Sequence, residues 1–254
     1  MCKFFSLVSD GKGKAYYFDW ELRKQCLAEK MDYEPDSHTS IAEYYDYRGE
    51  KEDTLNKYEY NPLTKEFTID QLNTTNDSKQ IEQFCKDLNF KTIVPHLVIK
   101  PIMHPFEVAA PNKITRKHIQ LLKKWDSVRD SVGDSVRDSV GDSVGDSVWD
   151  SVGASVGDSV GDSVRDSVWA SVRDSVGASV RDSVGASVGD SVWAYTSQYF
   201  DIQEWKYIEH KKGKNPYQPL IDLYNAGLVP SFTGKKWRLH GGKNGKVLWE
   251  GELK

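Results

Sequence analysis

The sequence predicts a mixed fold, with an α+β N-terminal domain, a central four-residue-repeat β-solenoid and a small α+β C-terminal region. Three observations carry this prediction. A tetrapeptide, (Asp/Ala)-Ser-Val-x, repeats from Trp125 to Ala194 almost without drift, and such internal repeats define an architecture of their own. Strand-like segments joined by turn sequences occur on both sides of the repeat. In the N-terminal part of the chain, the segment from Asn76 to Leu88 carries apolar residues at helical spacing.

The repeat favours a β-solenoid because its Val never changes while its variable position holds Gly, Arg or Trp. Val should therefore face inward and the variable residue outward, as the four-residue side of a coil allows, with stacked coils pairing their backbones. In an α-helix the Val stripe would drift by roughly 40° per unit. Each Gly would also cost about 1 kcal/mol relative to Ala. A disordered tract ranks second and a long α-helix third.

The solenoid prediction has one analogy among known repeats. The unit resembles that of the pentapeptide-repeat solenoids, in which A-(D/N)-L-x-x also combines a small or acidic residue with one inward aliphatic residue. The analogy covers residues 125–194 only, and the two periods differ by one residue. It implies a square coil of 16 residues.

The elements outside the repeat follow from alternation, helical spacing and turn residues. The predicted strands are two hairpins at 3–20 and 57–70, a strand at 93–99 and a C-terminal hairpin at 231–253. The predicted helices are 21–31, a short helix capped by Ser37 or Thr39, the segment after Asn76 or Asp77 with Ile81, Phe84, Cys85 and Leu88 on one face, 114–124, and the segment between Asn215 and Gly227.

These elements predict five regions along the chain. They are an α+β domain at 1–100, a Pro-rich linker at 101–112, a helix capping the solenoid at 113–124, the solenoid at 125–194, and a helix plus β-hairpin at 195–254.

Several segments outside the repeat resemble a known family. They are MCKFFSLVS, YYFDW, NKYEYNPLTKEF, LLKKWDSV, VWAY and LVPSFTGKKWRLHGGK. Together with the repeat, they look like a family of uncharacterised proteins encoded by phages and prophages, which carry runs of x-D-S-V or x-A-S-V between similar flanks. The resemblance spans most of the chain and implies a phage context, but it brings no activity with it.

Composition excludes several classes of protein. The repeat holds 13 Asp and 5 Arg, for a net charge of −8, whereas the remainder carries +4 and the whole chain −4. Three cysteines without metal-type spacing predict a reducing compartment. No run approaches the ~20 apolar residues of a membrane span. We therefore expect a cytoplasmic protein, inside the host cell of a phage or prophage, that does not bind membranes.

No residue pattern predicts catalysis, a metal site or a cofactor. A free N-terminal Cys2 could act as a nucleophile, but no oxyanion site accompanies it. His96, His104 and His118 lack the spacing of helical metal ligands. Asp36 and His38 could suggest acid–base chemistry, but they stand at the start of a predicted helix and are better explained as part of its N-terminal cap. The sequence therefore predicts a non-enzymatic protein with no cofactor and no metal.

The predicted function is an interaction or structural scaffold for a protein partner. Its candidate contact residues are acidic or aromatic positions of the repeat, together with two residues of the C-terminal hairpin: Asp134, Asp142, Asp146, Asp158, Asp162, Trp149, Trp169, Trp237 and Arg238. The alternative is a DNA-mimicking inhibitor of a host DNA-binding enzyme, because −8 over a ~20 Å solenoid approaches the charge density of duplex DNA. Direct nucleic-acid binding by the basic hairpin ranks behind both.

Overall fold

The structure, a computed structural model, describes residues 5–28, 33–47, 49–144 and 189–253. These residues form an α+β fold with two antiparallel sheets, and they divide into two compact units. The first unit contains the described residues up to 101. The second contains residues 102–143 and 189–253.

The first unit is a four-stranded antiparallel sheet with three helices. Its strands lie in the order β2-β1-β3-β4. The strands are β1 Phe5–Ser9, β2 Ala15–Tyr16, β3 Asn56–Asn61 and β4 Glu66–Gln71, and the helices are α1 Trp20–Ala28, α2 His38–Tyr44 and α3 Ser78–Asp87. The two predicted hairpins and the predicted helices at 21–31 and after Asp77 are thus confirmed. Ile81 and Cys85 of α3 are buried, as their spacing predicts.

The strand predicted at 93–99 is wrong. The chain there forms a 3-10 turn at Phe90–Thr92, begun by Asn89, followed by an irregular segment. Pro95 lies in the middle of the segment and has no N–H to give to a ladder. Ile93, Val94 and Leu97 are buried without the alternation of a strand.

The second unit packs four helices with a three-stranded antiparallel sheet in the order β5-β6-β7. The strands are β5 Leu228–Phe232, β6 Trp237–Gly241 and β7 Lys246–Gly251. The helices are α4 Arg116–Asp126, α5 Val132–Val144, α6, whose described part is 189–196, and α7 Gln218–Asn225. The predicted C-terminal hairpin is β6–β7, and it pairs Leu239 with Trp249.

The β-solenoid is contradicted by the structure. The described residues of the repeat at both of its ends are helical: a 3-10 turn at Arg129–Ser131 leads into α5, and α6 contains the last repeat residues. No strand occurs among the described residues of the repeat. The part of the prediction that concerns residues 145–188 lies outside the described residues.

The helix forms because Val does not act alone on its inner face. Val132, Ser135, Val136 and Ser139 are all buried and fall at i, i+3, i+4 and i+7, the stripe that an amphipathic helix presents to a core. The invariant Ser is small enough to share this stripe with Val. A drift of 40° per unit stays within a stripe more than 100° wide over these two turns.

Among the described residues, no helix combines the length and the apolar character needed to cross a bilayer.

Candidate functional site

The repeat enters the second unit on a surface built largely from aromatic residues. We call this surface the dock and define it by Lys206, Tyr207, Tyr217, Phe232 and Trp237. At its centre the Tyr217 ring lies edge-on against Trp205, with ring centroids 5.3 Å apart. The Tyr217 hydroxyl donates to the Ser131 carbonyl oxygen at 3.3 Å. The dock therefore fixes the backbone of the repeat as well as its side chains.

Arg129, the variable residue that follows Val128, contacts two aromatic rings of the dock. The Arg129 guanidinium lies 4.9 Å from the Phe232 ring centroid and 5.5 Å from that of Trp237. Such cation–π contacts contribute ~0.5–2 kcal/mol, depending on exposure. The Trp237 indole N–H donates to Asp126 Oδ1 at 3.2 Å. An Arg-Asp-Ser-Val unit is thus recognised by its charge as well as by its Val.

Two hydrogen bonds hold the next turns of α5. The Lys206 backbone N–H donates to Ser139 Oγ at 2.9 Å, and the Tyr207 hydroxyl donates to Asp138 Oδ2 at 2.7 Å. Ser139 occupies an invariant position of the repeat, and Asp138 a position that holds Asp 13 times and Ala five times between Asp126 and Ala194. The dock therefore makes hydrogen bonds to the Ser and Asp side chains of the repeat unit.

The repeat also leaves through the second unit. Ser191 and Ala194 of α6 are fully buried, and Tyr195, directly after the repeat, lies 5.1 Å from the Tyr224 ring of α7. The Tyr195 hydroxyl accepts from the Met103 backbone N–H and donates to the Met103 carbonyl oxygen, both at 3.1 Å. These contacts anchor the exit on the second unit.

Entry and exit lie close together. Burial raises the pKa of Asp190 at the exit, and the nearby positive charge of Arg129 at the entry opposes that rise. The two ends also contact one helix and its N-terminal cap, Tyr217 at the entry and Tyr224 at the exit. Both ends of the repeat are therefore attached to the same unit.

The sequence-predicted contact residues of the repeat fall into two groups. Asp134 is exposed on the outer face of α5, and Asp142 lies in the same helix. The other predicted residues of the repeat lie outside the described residues: Asp146, Trp149, Asp158, Asp162 and Trp169.

The two predicted residues of the C-terminal hairpin do not form an open basic surface. Trp237 is buried beneath Arg129. The Arg238 side chain is mostly covered and donates to Glu250 Oε2 at 2.6 Å, while Lys236 Nζ lies 3.2 Å from Glu250 Oε1. Glu250 thus pairs with two of the basic side chains of this hairpin.

Sequence reasoning missed a buried Ser–His pair on β5 and β6. Ser231 Oγ and His240 Nε2 are 2.8 Å apart, and His240 Nδ1 is 3.0 Å from the Gly245 carbonyl oxygen. Because a carbonyl only accepts, Nδ1 carries the proton and Nε2 accepts from Ser231. This is the hydrogen-bond pattern of a nucleophile and its base, but both side chains are fully buried. The pair is structural, and only the pairing of distant strands reveals it.

Burial gives this pair a pH dependence. It lowers the pKa of His240 to about 4, below the ~6.5 of an unfolded histidine. The unfolded chain therefore binds the proton first, so stability is complete above pH 6.5 and falls as the pH drops towards 4. We expect the second unit to lose about 2 kcal/mol of stability between pH 7 and pH 5.

Urea unfolding of the second unit, followed by hydrogen exchange of β5 and β6 peptides at both pH values, measures this loss. The His240→Gln variant is less stable at pH 7 but lacks the histidine's contribution, so its pH dependence should be flatter. An equal dependence in both proteins would assign the effect to other groups.

The first unit carries a separate cleft at the start of α3. It has a volume of about 520 Å³, and its lining includes Lys12, Ser78 and Lys79. Asp77, at the N-cap of α3, accepts hydrogen bonds from Ser9 Oγ, the Gly13 N–H, Asn56 Nδ2 and the Tyr58 hydroxyl.

The same region of the cleft is closely packed. Gly11 has φ +76°, and a Cβ there would lie 2.6 Å from the Thr74 side chain. Because Asp77 is saturated by internal donors, its carboxylate joins two loops and has no acceptor position left for a ligand. We treat the cleft as a consequence of that junction.

No group of three or more His, Cys, Asp or Glu side chains in the described part of the chain is arranged to hold a metal ion. Comparison of the chain with protein-family models, with curated proteins and with solved structures finds no match.

Proposed function

We propose that this protein is a non-enzymatic, cytoplasmic interaction scaffold in which the second unit is a platform for the Asp-Ser-Val repeat. The observation that carries the proposal is the anchoring of both ends of the repeat on one unit, at Tyr217 and Tyr224. A spacer between two domains would have one end on each. Both ends of the repeat are instead held by one folded unit. The protein partner would bind the side of the repeat that faces away from that unit.

The charges of the described helix support a partner with a basic or polar surface. Asp134 is exposed, and the Asp130 side chain is 88% accessible to solvent. Val132 and Val136 are buried against the unit instead. Electrostatic contacts of this kind contribute more to association rate and specificity than to affinity. We therefore expect partner binding to weaken with added salt.

DNA mimicry loses its geometric support. The 13 residues of α5 span ~20 Å and carry three Asp and one Arg. That is one net charge per ~10 Å, against one per ~1.7 Å in duplex DNA. The density calculated for a solenoid does not apply to this helix, so we do not propose the mimic.

Deleting residues 145–188 and joining the ends through a short Gly-Ser linker tests the platform. Because the entry and exit contacts are all retained, we expect the second unit to keep its stability to within about 1 kcal/mol. Hydrogen exchange of α4 and α7 peptides during urea unfolding measures it. A deletion variant that loses protection in α7 would contradict the platform.

Photo-cross-linking in bacterial cells tests the binding role, and the resemblance to phage proteins motivates that choice of cell. A photoreactive residue in place of exposed Asp134 should give a discrete protein adduct that disappears in the 145–188 deletion. The matched control is the same residue at exposed Lys235 in the C-terminal hairpin. Identical adducts from Asp134 and Lys235, or adducts that persist after the deletion, would contradict the proposal.

A further inference from the structure

The segment bound to the dock has a near-identical copy farther along the chain. Residues 129–140 read RDSVGDSVRDSV, and residues 173–184 read RDSVGASVRDSV. The two segments differ only where Asp134 is replaced by Ala178, and Asp134 is exposed on the outer face of α5. Nothing that faces the dock distinguishes the two segments.

The docking residues correspond one to one at an offset of 44. Within residues 129–140, the seated Arg129, the buried stripe and the side-chain acceptors of α5 all recur in the second segment: Arg173, Val176, Ser179, Val180, Asp182 and Ser183. Asp126, which accepts from Trp237, corresponds to Ala170, but it precedes the exchanged segment and stays with its own unit. A surface that reads the repeat unit therefore binds either segment with nearly equal free energy.

We propose that the dock also accepts residues 173–184 of a second copy of this chain, by exchange with its own residues 129–140. The proposal rests on the platform function above and names its partner. Exchange of identical elements is a low-cost route to dimers, because the dock makes the same interactions in the monomer and in the exchanged dimer. Reciprocal exchange fills both docks, while Val132 and Val136 of each displaced segment lose their contact with the dock.

The attachment of residues 129–140 to their own unit sets the balance. A tethered segment has an effective concentration in the millimolar range, so the chain's own segment occupies the dock in dilute solution. The exchanged form grows as the protein concentration rises. Opening the dock exposes two Val side chains, and local openings of this size occur well below the free energy of global unfolding.

Cross-linking between two differently tagged full-length chains tests the exchange. One chain carries Tyr207→Cys and the other Asp182→Cys, because Asp182 corresponds to Asp138, which accepts from the Tyr207 hydroxyl. Both carry Cys2→Ser, and the remaining Cys26 and Cys85 are buried. A bismaleimide is used, since a direct disulfide requires Cα atoms within about 7 Å. We expect a covalent heterodimer whose yield rises with protein concentration.

The matched control adds Val180→Asp to the Asp182→Cys chain. Val180 corresponds to buried Val136. The change should therefore prevent residues 173–184 of this chain from binding the dock of the other chain, while residues 129–140 of both chains keep their sequence. We expect the heterodimer yield to fall by about tenfold or more, because the change replaces a buried apolar side chain with a charged carboxylate. An unchanged yield would overturn the proposal.

A single chain with Tyr207→Cys and Asp138→Cys is the positive control and should cross-link within itself. If that link forms while the mixed chains give no heterodimer at any concentration, the exchange is refuted. The platform then still stands or falls on the deletion of 145–188, so the two proposals fail separately.

Discussion

Replacing Trp125 with alanine is expected to destabilise the second unit by about 3–5 kcal/mol. The Trp125 side chain is fully buried where α4 meets the repeat, and its ring lies edge-on to Tyr217, with centroids 6.4 Å apart. Removing a buried indole forfeits its transfer free energy and leaves a cavity beside the dock. Because Tyr217 also holds Ser131 and Trp205, the dock should loosen with it.

The matched control is Trp193→Ala at the other end of the repeat. Trp193 occupies the same variable position of a repeat unit but is 40% exposed, so its loss should cost less than about 1 kcal/mol. Urea unfolding followed by hydrogen exchange of α4 and α7 peptides gives both values. Equal losses at the two positions would show that Trp125 does not anchor the unit.

In the first unit, Asp36→Ala is expected to cost about 3–5 kcal/mol. Arg23 and Asp36 form a two-point ion pair with N–O distances of 2.8 and 2.6 Å, and their side chains are only 3% and 6% exposed. Ser6 N–H also donates to the same carboxylate. Removing the carboxylate leaves the Arg23 guanidinium buried without its counter-charge, which is the costly way to break such a pair.

The double variant Arg23→Met, Asp36→Ala separates the pair from its burial. With both charges gone, we expect most of the lost stability to return, since a buried ion pair and an apolar replacement are often nearly equal in free energy. Glu21→Ala, which breaks the exposed Lys24–Glu21 pair, is the control and should cost less than about 0.5 kcal/mol. A double variant as unstable as Asp36→Ala would assign the loss to packing. Hydrogen exchange of β1 and β3 peptides during urea unfolding reports on this unit.

The sequence predicted local elements well where one pattern decided the structure. The helix Ser78–Asp87 follows from the spacing of Ile81 and Cys85, and β3–β4 from the turn at Asn61-Pro62. The N-cap of α2 is Ser37, which accepts from the Ser40 N–H, whereas His38 is the first residue of the helix and Asp36 accepts from Arg23. Short-range chemistry was sufficient in each case.

Prediction failed where distant residues decided the outcome. Judged by Val alone, the repeat drifts too fast for a helix, but Tyr217, Lys206 and Tyr207 supply partners that bring Ser and Asp into the bound face. The aromatic residues after the repeat were the available signal. Tyr195 and Trp205, for example, pack around the two described ends of the repeat. The Ser231–His240 pair likewise depends on strand pairing.

The position of both repeat ends on one unit bears on how the gene can change. Each unit is encoded by twelve bases, so replication slippage between repeated codons would add or remove whole units in frame. Between two fixed ends, doubling the intervening length costs only about 0.6 kcal/mol of closure entropy. We therefore expect the copy number to vary with little effect on the folding of the second unit. Related alleles should differ in the number of tetrapeptides while their flanking sequences, which build the two anchors, stay constant.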